Sequence, residues 1–413
     1  MRRTAAVLAS TVAVGLILSG CGGDPRGERG FPTNVAVYVD VPLRGPWAGP
    51  GQALAHGAEL AVADAGGGIG HLSVRLTERD ITDDADGAAV TPEGAVREAG
   101  AALLDQGAIA MVSGLDPAAV RVSRRLASQT GLGFVTASGP EELGGPGRSG
   151  PTTDDLSVRG PRRAVRLAAS DRAIARQVDA RIDAADCRSV VRLVAGDRGT
   201  AVDGADAGDG GVDRSRSRVT RSGPGRTEHI ATAERYDDDG LRRNLERRLA
   251  AGADCVVVDG TPGAGDPAAL LQGVVDDLDG VRILITRGAA SGTMAGLVVE
   301  HDLRAEAIVD DVAPDTDAET RRIDALHRRY YATPATAGVI SGWRSLKLLI
   351  AAVGAAGADG NRRDVVAARL VEQPVPGPPT VGAQDADGAV TPAPVGLARA
   401  REYGWRVVRN LAP

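Results

Sequence analysis

The segment Thr82-Asp83-Asp84-Ala85-Asp86-Gly87, with Glu93 downstream, spaces side-chain oxygens as a calcium loop does, except that Thr takes the first ligand position. It follows a β-rich run and leads into Pro92, so it reads as an acidic loop at a strand end. Asp237-Asp238-Asp239-Gly240 precedes an amphipathic stretch, where carboxylates cap a helix and complement its dipole. Histidines 56, 71, 229, 301 and 327 show no zinc spacing. There is no Gly-x-Ser-x-Gly elbow, and Ser138 in Thr136-Ala137-Ser138-Gly139 has no histidine placed beside it by the sequence rhythm. Lys347 is the sole lysine, which removes a P-loop lysine and confines lysine chemistry to one helical position. The expectation is a chain that is not an enzyme and holds no metal or cofactor.

Four turns remain as places where a ligand could be held: Pro42–Gly51, Ser113–Ala119, Ala137–Pro140 and Thr286–Gly292. Each follows an apolar, β-branched run, and most lead into a helical pattern. In doubly wound sheets the carboxyl ends of the strands form the ligand crevice, and free N–H groups at helix starts line it. The elements that must position them alternate in βα units. Strands are expected at 35–41, 72–78, 108–112, 133–137, 190–194, 255–259 and 281–286, with a closing pair at 395–399 and 405–408. Helices are expected at 51–65, 93–106, 117–130, 172–184, 241–251, 267–278, 339–353 and 363–371. Gly139–Gly160 and Gly199–Gly225 are rich in Gly, Asp, Arg, Ser or Pro and read as long loops.

With 413 residues, 43% of them hydrophobic, the chain can build two domains, but at 2% aromatic content the core must come from Ala, Val and Leu. The net charge of −6 argues against nucleic-acid binding, which needs a basic surface. Met1-Arg2-Arg3 and an uncharged run to Gly20 form a signal peptide over residues 1–20. Leu18-Ser19-Gly20-Cys21 resembles a bacterial lipobox, which implies lipidation of Cys21 and a flexible tether over residues 21–32. Cys187 and Cys255 each precede a β-branched run. If those runs are adjacent parallel strands a disulfide is feasible; otherwise they are two separate buried thiols.

The run from Val35 to Pro46 (VAVYVDVPLRGP), with Gly51 and His56-Gly57-Ala58-Glu59-Leu60-Ala61-Val62, is similar to the opening strand, turn and first helix of branched-chain-amino-acid-like solute-binding lipoproteins of ABC importers. Arg79-Asp80, Met111-Val112-Ser113-Gly114, Phe134-Val135-Thr136-Ala137-Ser138, Arg166 with Asp171, and Gly342-Trp343-Arg344-Ser345-Leu346-Lys347-Leu348-Leu349 extend the resemblance along the chain. It implies the type I periplasmic-binding fold: two Rossmann-like, doubly wound α/β lobes joined by a three-segment hinge near residues 163, 311 and 383. The N-terminal lobe would take 33–163 plus 312–382, and the C-terminal lobe 164–311 plus 383–413.

The chain departs from that family at its ligand positions. Ala118-Ala119 and Gly139-Pro140 carry no hydroxyls, Pro50 stands where an aromatic is usual with Trp47 close enough to replace it, and Asp197-Arg198-Gly199 replaces a Tyr-Gly turn. Arg287 occupies a usually acidic position, which reverses the preferred ligand charge. The ligand-binding set is Trp47, Ser113, Ala137, Ser138, Gly139, Asp197 and Arg287. The resemblance implies a monomeric, lipid-anchored protein on the extracytoplasmic face of the cell membrane. It would capture a small polar ligand, anionic or amino-acid-like, for ABC permease subunits, with the membrane met only through the anchor. The alternative is a degenerate member acting as a sensor or scaffold without transport.

Overall fold

The computed structural model describes residues 34–83, 89–137, 163–167, 169, 171–195, 216–220, 226–260, 264–310, 318–374, 383–384, 390–391, 395–402 and 404–411. Cys21 and the expected leader and tether lie outside them, as do Ser138, Gly139 and Asp197.

The first lobe is built from β1 (Asn34–Val41), α1 (Ala48–Asp64), β2 (Gly68–Ile69), β3 (Leu72–Asp80), the hairpin β4 (Thr82–Asp83) and β5 (Ala89–Val90), α2 (Pro92–Leu104), β6 (Ala108–Ser113), α3 (Pro117–Thr130), β7 (Gly133–Thr136) and β8 (Ala164–Arg166). Its sheet runs β2-β3-β1-β6-β7-β8, parallel except at β2. Both faces are covered, so β1 reads as nearly continuous apolar sequence rather than alternating polar and apolar residues. Val35, Val37, Val39 and Val41 pack to one side, while Ala36 and Tyr38 pack to the other with Phe134 and residues of α2 and α3.

The second lobe begins with α4 (Asp171–Ala184) and β9 (Ser189–Ala195), β10 (Arg216–Thr220), β11 (Thr227–Ala233), α5 (Asp239–Ala250), β12 (Cys255–Gly260), α6 (Pro267–Gln272), β13 (Arg282–Thr286), α7 (Gly292–Glu300) and β14 (Ala305–Val309). The chain then returns to the first lobe as α8 (Ala318–Tyr331), α9 (Ala337–Ala356) and α10 (Arg363–Leu370). Past the short hairpin β15 (Ala383–Gln384) and β16 (Val390–Thr391), it ends in the second sheet as β17 (Val395–Arg401) and β18 (Gly404–Leu411). That sheet runs β10-β11-β9-β12-β13-β14-β17-β18, with a parallel centre and antiparallel pairs at both edges. This is the expected α/β architecture of two doubly wound sheets.

The chain therefore passes between the sheets three times: after β8, after β14 and after α10. Because β8 pairs with β7, the first passage comes after Arg166, slightly beyond the expected 163. The 199–225 stretch, expected as a loop, contains β10, which pairs with β11. The expected helix over 267–278 stops at Gln272 and gives way to a 3-10 turn, Val275–Leu278.

Small residues let α1 and α9 approach closely, which the low aromatic content makes feasible. A Cβ on Gly57 would fall 1.9 Å from the Val339 carbonyl oxygen, and one on Gly342 would fall 1.9 Å from that of Leu54. Residues 337–359 are long and apolar enough to cross a bilayer, but in this fold α9 is a core helix, with Val339, Ile340, Trp343 and Leu346 buried against α1 and the first sheet. Each such buried side chain is worth about 1.5–3 kcal/mol. The second lobe adds a covalent tie: Cys187 and Cys255 form a disulfide, Cα–Cα 5.9 Å, at the start of the neighbouring parallel strands β9 and β12.

Candidate functional site

The end of β1 is fixed by one carboxylate. Asp80, closing β3, accepts from the Leu43 backbone N–H at 2.9 Å, the Arg44 Nε at 2.5 Å, and the Thr82 N–H and hydroxyl at 3.1 and 2.8 Å. Burial would raise this carboxyl, but these donors outweigh it and hold it below its ordinary value. Asp80, of the Arg79-Asp80 pair singled out from sequence, thus orients the β1–α1 turn. The turn continues through Gly45, whose φ of 68° suits glycine, into a 3-10 turn, Gly45–Trp47. Trp47 is buried at 3% exposure, and its indole Nε1 has no hydrogen-bond partner among the described residues.

Beside this turn, β6 ends in Ser113, fully buried with its hydroxyl unpartnered. Leu115 then takes a positive φ of 74°, and Asp116 caps α3 by accepting from the Ala119 N–H at 2.9 Å. The Ala137 N–H donates to the Ser113 carbonyl at 2.9 Å, so the ends of β6 and β7 form one floor.

The second lobe meets this region through α7. Gly292 sits against Pro46 and Pro50, where a Cβ would lie 3.8 and 3.9 Å from their nearest atoms. The α7 start is held by its Ser291 cap on Met294 N–H, by Thr293 donating to Asp266 at 2.8 Å, and by the Trp405 indole donating to the Ser291 carbonyl at 2.9 Å. The turn that carries Trp47 and the α7 start therefore lie on opposite sides of one seam between the lobes.

Arg287 follows β13 and is buried, but its charge is engaged. Its Nη1 donates to Asp310 at 3.0 Å and to the Ala169 carbonyl, just after β8, at 2.7 Å. Both side chains of the ion pair are 5% exposed. The inference from an acid-to-arginine change to an anionic ligand loses its premise, because Asp310 returns the negative charge from the end of β14. Sequence reasoning missed Asp310; the signal would have been an acid closing the Ala305–Val309 strand, which was not among the expected elements.

Asp238 caps α5 by accepting from the Gly240 and Leu241 N–H groups, as its position suggested. Of the calcium-like segment, Thr82 and Asp83 belong to the β4–β5 hairpin, and residues 84–87 lie outside the described set. Among the described residues, the one group with metal-like spacing is Cys187, Asp254 and Cys255, and its sulfurs are joined in the disulfide. A cavity of about 580 Å³ opens in the first lobe beside Asp80, among Arg44, Arg79, Arg97 and Glu98. It contains none of the residues expected to hold the ligand.

No family model and no curated protein matches the sequence. Solved structures do match. A solute-binding protein of an ABC transporter from R. palustris, in complex with benzoate, is 16% identical over 92% of this chain and 97% of that one, with a TM-score of 0.66. The leucine-binding protein LivK from Thermotoga maritima is 15% identical over 92% and 99%, with a TM-score of 0.69. LivJ from Streptococcus pneumoniae, in complex with isoleucine, is 13% identical over 92% and 100%, with a TM-score of 0.65. The chain has the fold these proteins share, the type I periplasmic-binding fold.

Proposed function

We propose that this chain is an extracytoplasmic solute-binding protein, anchored through Cys21, that captures a small polar ligand between its lobes and presents it to ABC permease subunits. The observation that carries the reading is the seam itself. Two lobes tied by three chain passages meet there through the α7 start and the turn before α1, and in that turn a buried tryptophan holds an indole N–H without a hydrogen bond among the described residues. A buried donor without a partner is costly unless a ligand or water accepts from it, so Trp47 is suited to meet a polar atom of the guest. Ser113 and Ala137 supply the floor, and the sequence adds Ser138, Gly139 and Asp197 at the loops beyond it.

The Arg287–Asp310 pair then braces the seam rather than selecting charge, which favours a guest with little net charge or with balanced charges. The disulfide supports a location outside the reducing cytoplasm. The protein acts as a monomer and changes no bonds in its ligand. Thermal-shift screening against branched-chain amino acids, with benzoates as the singly anionic contrast, tests the reading. A ligand that raises the melting temperature of the wild type, with affinity at least tenfold weaker for Trp47→Ala, is expected. If no such compound stabilises the protein, or Trp47→Ala binds it equally well, the site is wrongly placed.

A further inference from the structure

Asp40 stands one residue before the end of β1 and has no exposed surface. Strand alternation turns it, with Ala36 and Tyr38, toward α2 and α3. Among the described residues neither carboxyl oxygen is in a well-formed hydrogen bond, although the Ser123 hydroxyl lies close enough to act on the carboxyl. Its cross-strand neighbours are Arg79 on β3 and Ser113 on β6, and the helices contribute Glu98 from α2 and Ser123 from α3. Among the described residues the hydroxyls of Ser113 and Ser123 and the Nε of Arg79 are also buried without a well-formed hydrogen bond. Two of these atoms are hydroxyl oxygens that could accept from or donate to a protonated carboxyl.

The surrounding charges are already matched. Glu98 is 2.7 Å from Arg97 and 3.9 Å from Arg79, and the Arg79 guanidinium also lies over the Tyr38 ring. A metal ion beside Asp40 would meet Arg79, whereas a proton adds no bulk and no second cation. Burial, reinforced by the charge of Glu98, pushes the Asp40 carboxyl up to about 8; Arg79 and Ser123 oppose this without cancelling it. Arg79 and Glu98 both line the 580 Å³ cavity, which brings solvent within one side chain of Asp40.

We propose that Asp40 is a proton-operated latch: as a neutral acid it hydrogen-bonds to the Ser113 and Ser123 hydroxyls and lets α2 and α3 close on the sheet, and on losing its proton it forces that layer to loosen. Because Ser113 ends β6 and its carbonyl takes the Ala137 N–H, loosening is transmitted to the floor of the seam. That last consequence rests on the ligand site proposed above; the latch does not.

The latch is tested on the ligand-free protein by urea unfolding between pH 5.5 and 9, for wild type, Asp40→Asn and Glu78→Gln. An acid whose folded value is raised gives stability that is complete below its ordinary range and is lost as pH rises toward 8. The wild-type folding constant should therefore carry a component that falls by up to about tenfold per pH unit across that window. Asp40→Asn should lack this component. Glu78→Gln, which removes the other carboxyl raised into this window, should retain it. Parallel profiles for wild type and Asp40→Asn would overturn the latch. So would stability that depends on sodium rather than choline at fixed ionic strength and loses that dependence in Asp40→Asn, because the site would then hold a cation. Should Asp40→Asn fail to fold, infrared absorption of Glu78→Gln gives a second reading. A buried-acid carbonyl band present at pH 6.5 and lost above pH 8 supports the latch, and its absence at pH 6.5 rejects it.

Discussion

The two lobes bury charge in two different ways at the carboxyl ends of their sheets. In the second lobe, Arg287 is answered by Asp310 at 3.0 Å, both nearly inaccessible. In the first lobe, Asp40 is also buried, with no counter-charge paired to it and no well-formed hydrogen bond to either oxygen among the described residues. A counter-charge neutralises one site at every ordinary pH, while the other must rely on a proton and so becomes sensitive to pH. The braced lobe also carries the disulfide; the unbraced one depends on close helix packing.

The largest effect should come from breaking the paired site. Arg287→Ala removes the buried counter-charge that Asp310 meets at 3.0 Å, at a cost of about 3–5 kcal/mol in chemical unfolding. Replacing both residues by apolar ones of similar size should recover most of it, as a double-mutant cycle would show. If the single and double variants are equally unstable, the pair is not the brace described. Next, removing the disulfide with Cys187→Ala and Cys255→Ala releases a 68-residue separation and should cost about 2–4 kcal/mol relative to the oxidised wild type, with the reduced wild type showing the same loss.

On the unbraced side, Gly342→Ala forces a methyl into the Leu54 carbonyl and should cost about 1–3 kcal/mol by pushing α1 from α9. The same exchange at Gly296, with open space around it, should be close to neutral. The smallest effect concerns Glu78, pushed up to about 7 by burial and by Glu59 beside it. Because its folded value is raised, its contribution is present at acid pH and fades as pH rises through 7. Glu78→Gln should therefore leave the melting temperature at pH 5 almost unchanged and raise it slightly at pH 8. A larger gain at pH 5 than at pH 8 would reverse the assigned sign.

The same contrast bears on what could be read from sequence. Valine-rich runs such as Val35–Val41 and Cys255–Asp259 announce central parallel strands, because both faces need apolar residues. β11, Thr-Glu-His-Ile-Ala-Thr-Ala, does not, since pairing with β9 rather than its own composition makes it a strand. β10 was hidden in a charged insert, and α7 and α8 went unmarked among glycines and charges. At the candidate site, Trp47 and Arg287 lie in strand-end turns that the sequence marks, and the resemblance singles them out. Asp310 was not, because it arrives from a strand that the rhythm did not reveal. Asp40 was passed over as part of an apolar run, although an acid inside Val-Tyr-Val-Asp-Val is the local inconsistency that marks a special environment.

The claim that this fold grips one solute at the Trp47 seam is tested most directly by native mass spectrometry of the wild type and Trp47→Ala with the best stabilising compound. The account predicts a single one-to-one adduct, of unchanged mass after incubation, that is lost or greatly weakened in Trp47→Ala. Adducts of several stoichiometries that ignore the substitution, or conversion of the compound to product, would contradict it.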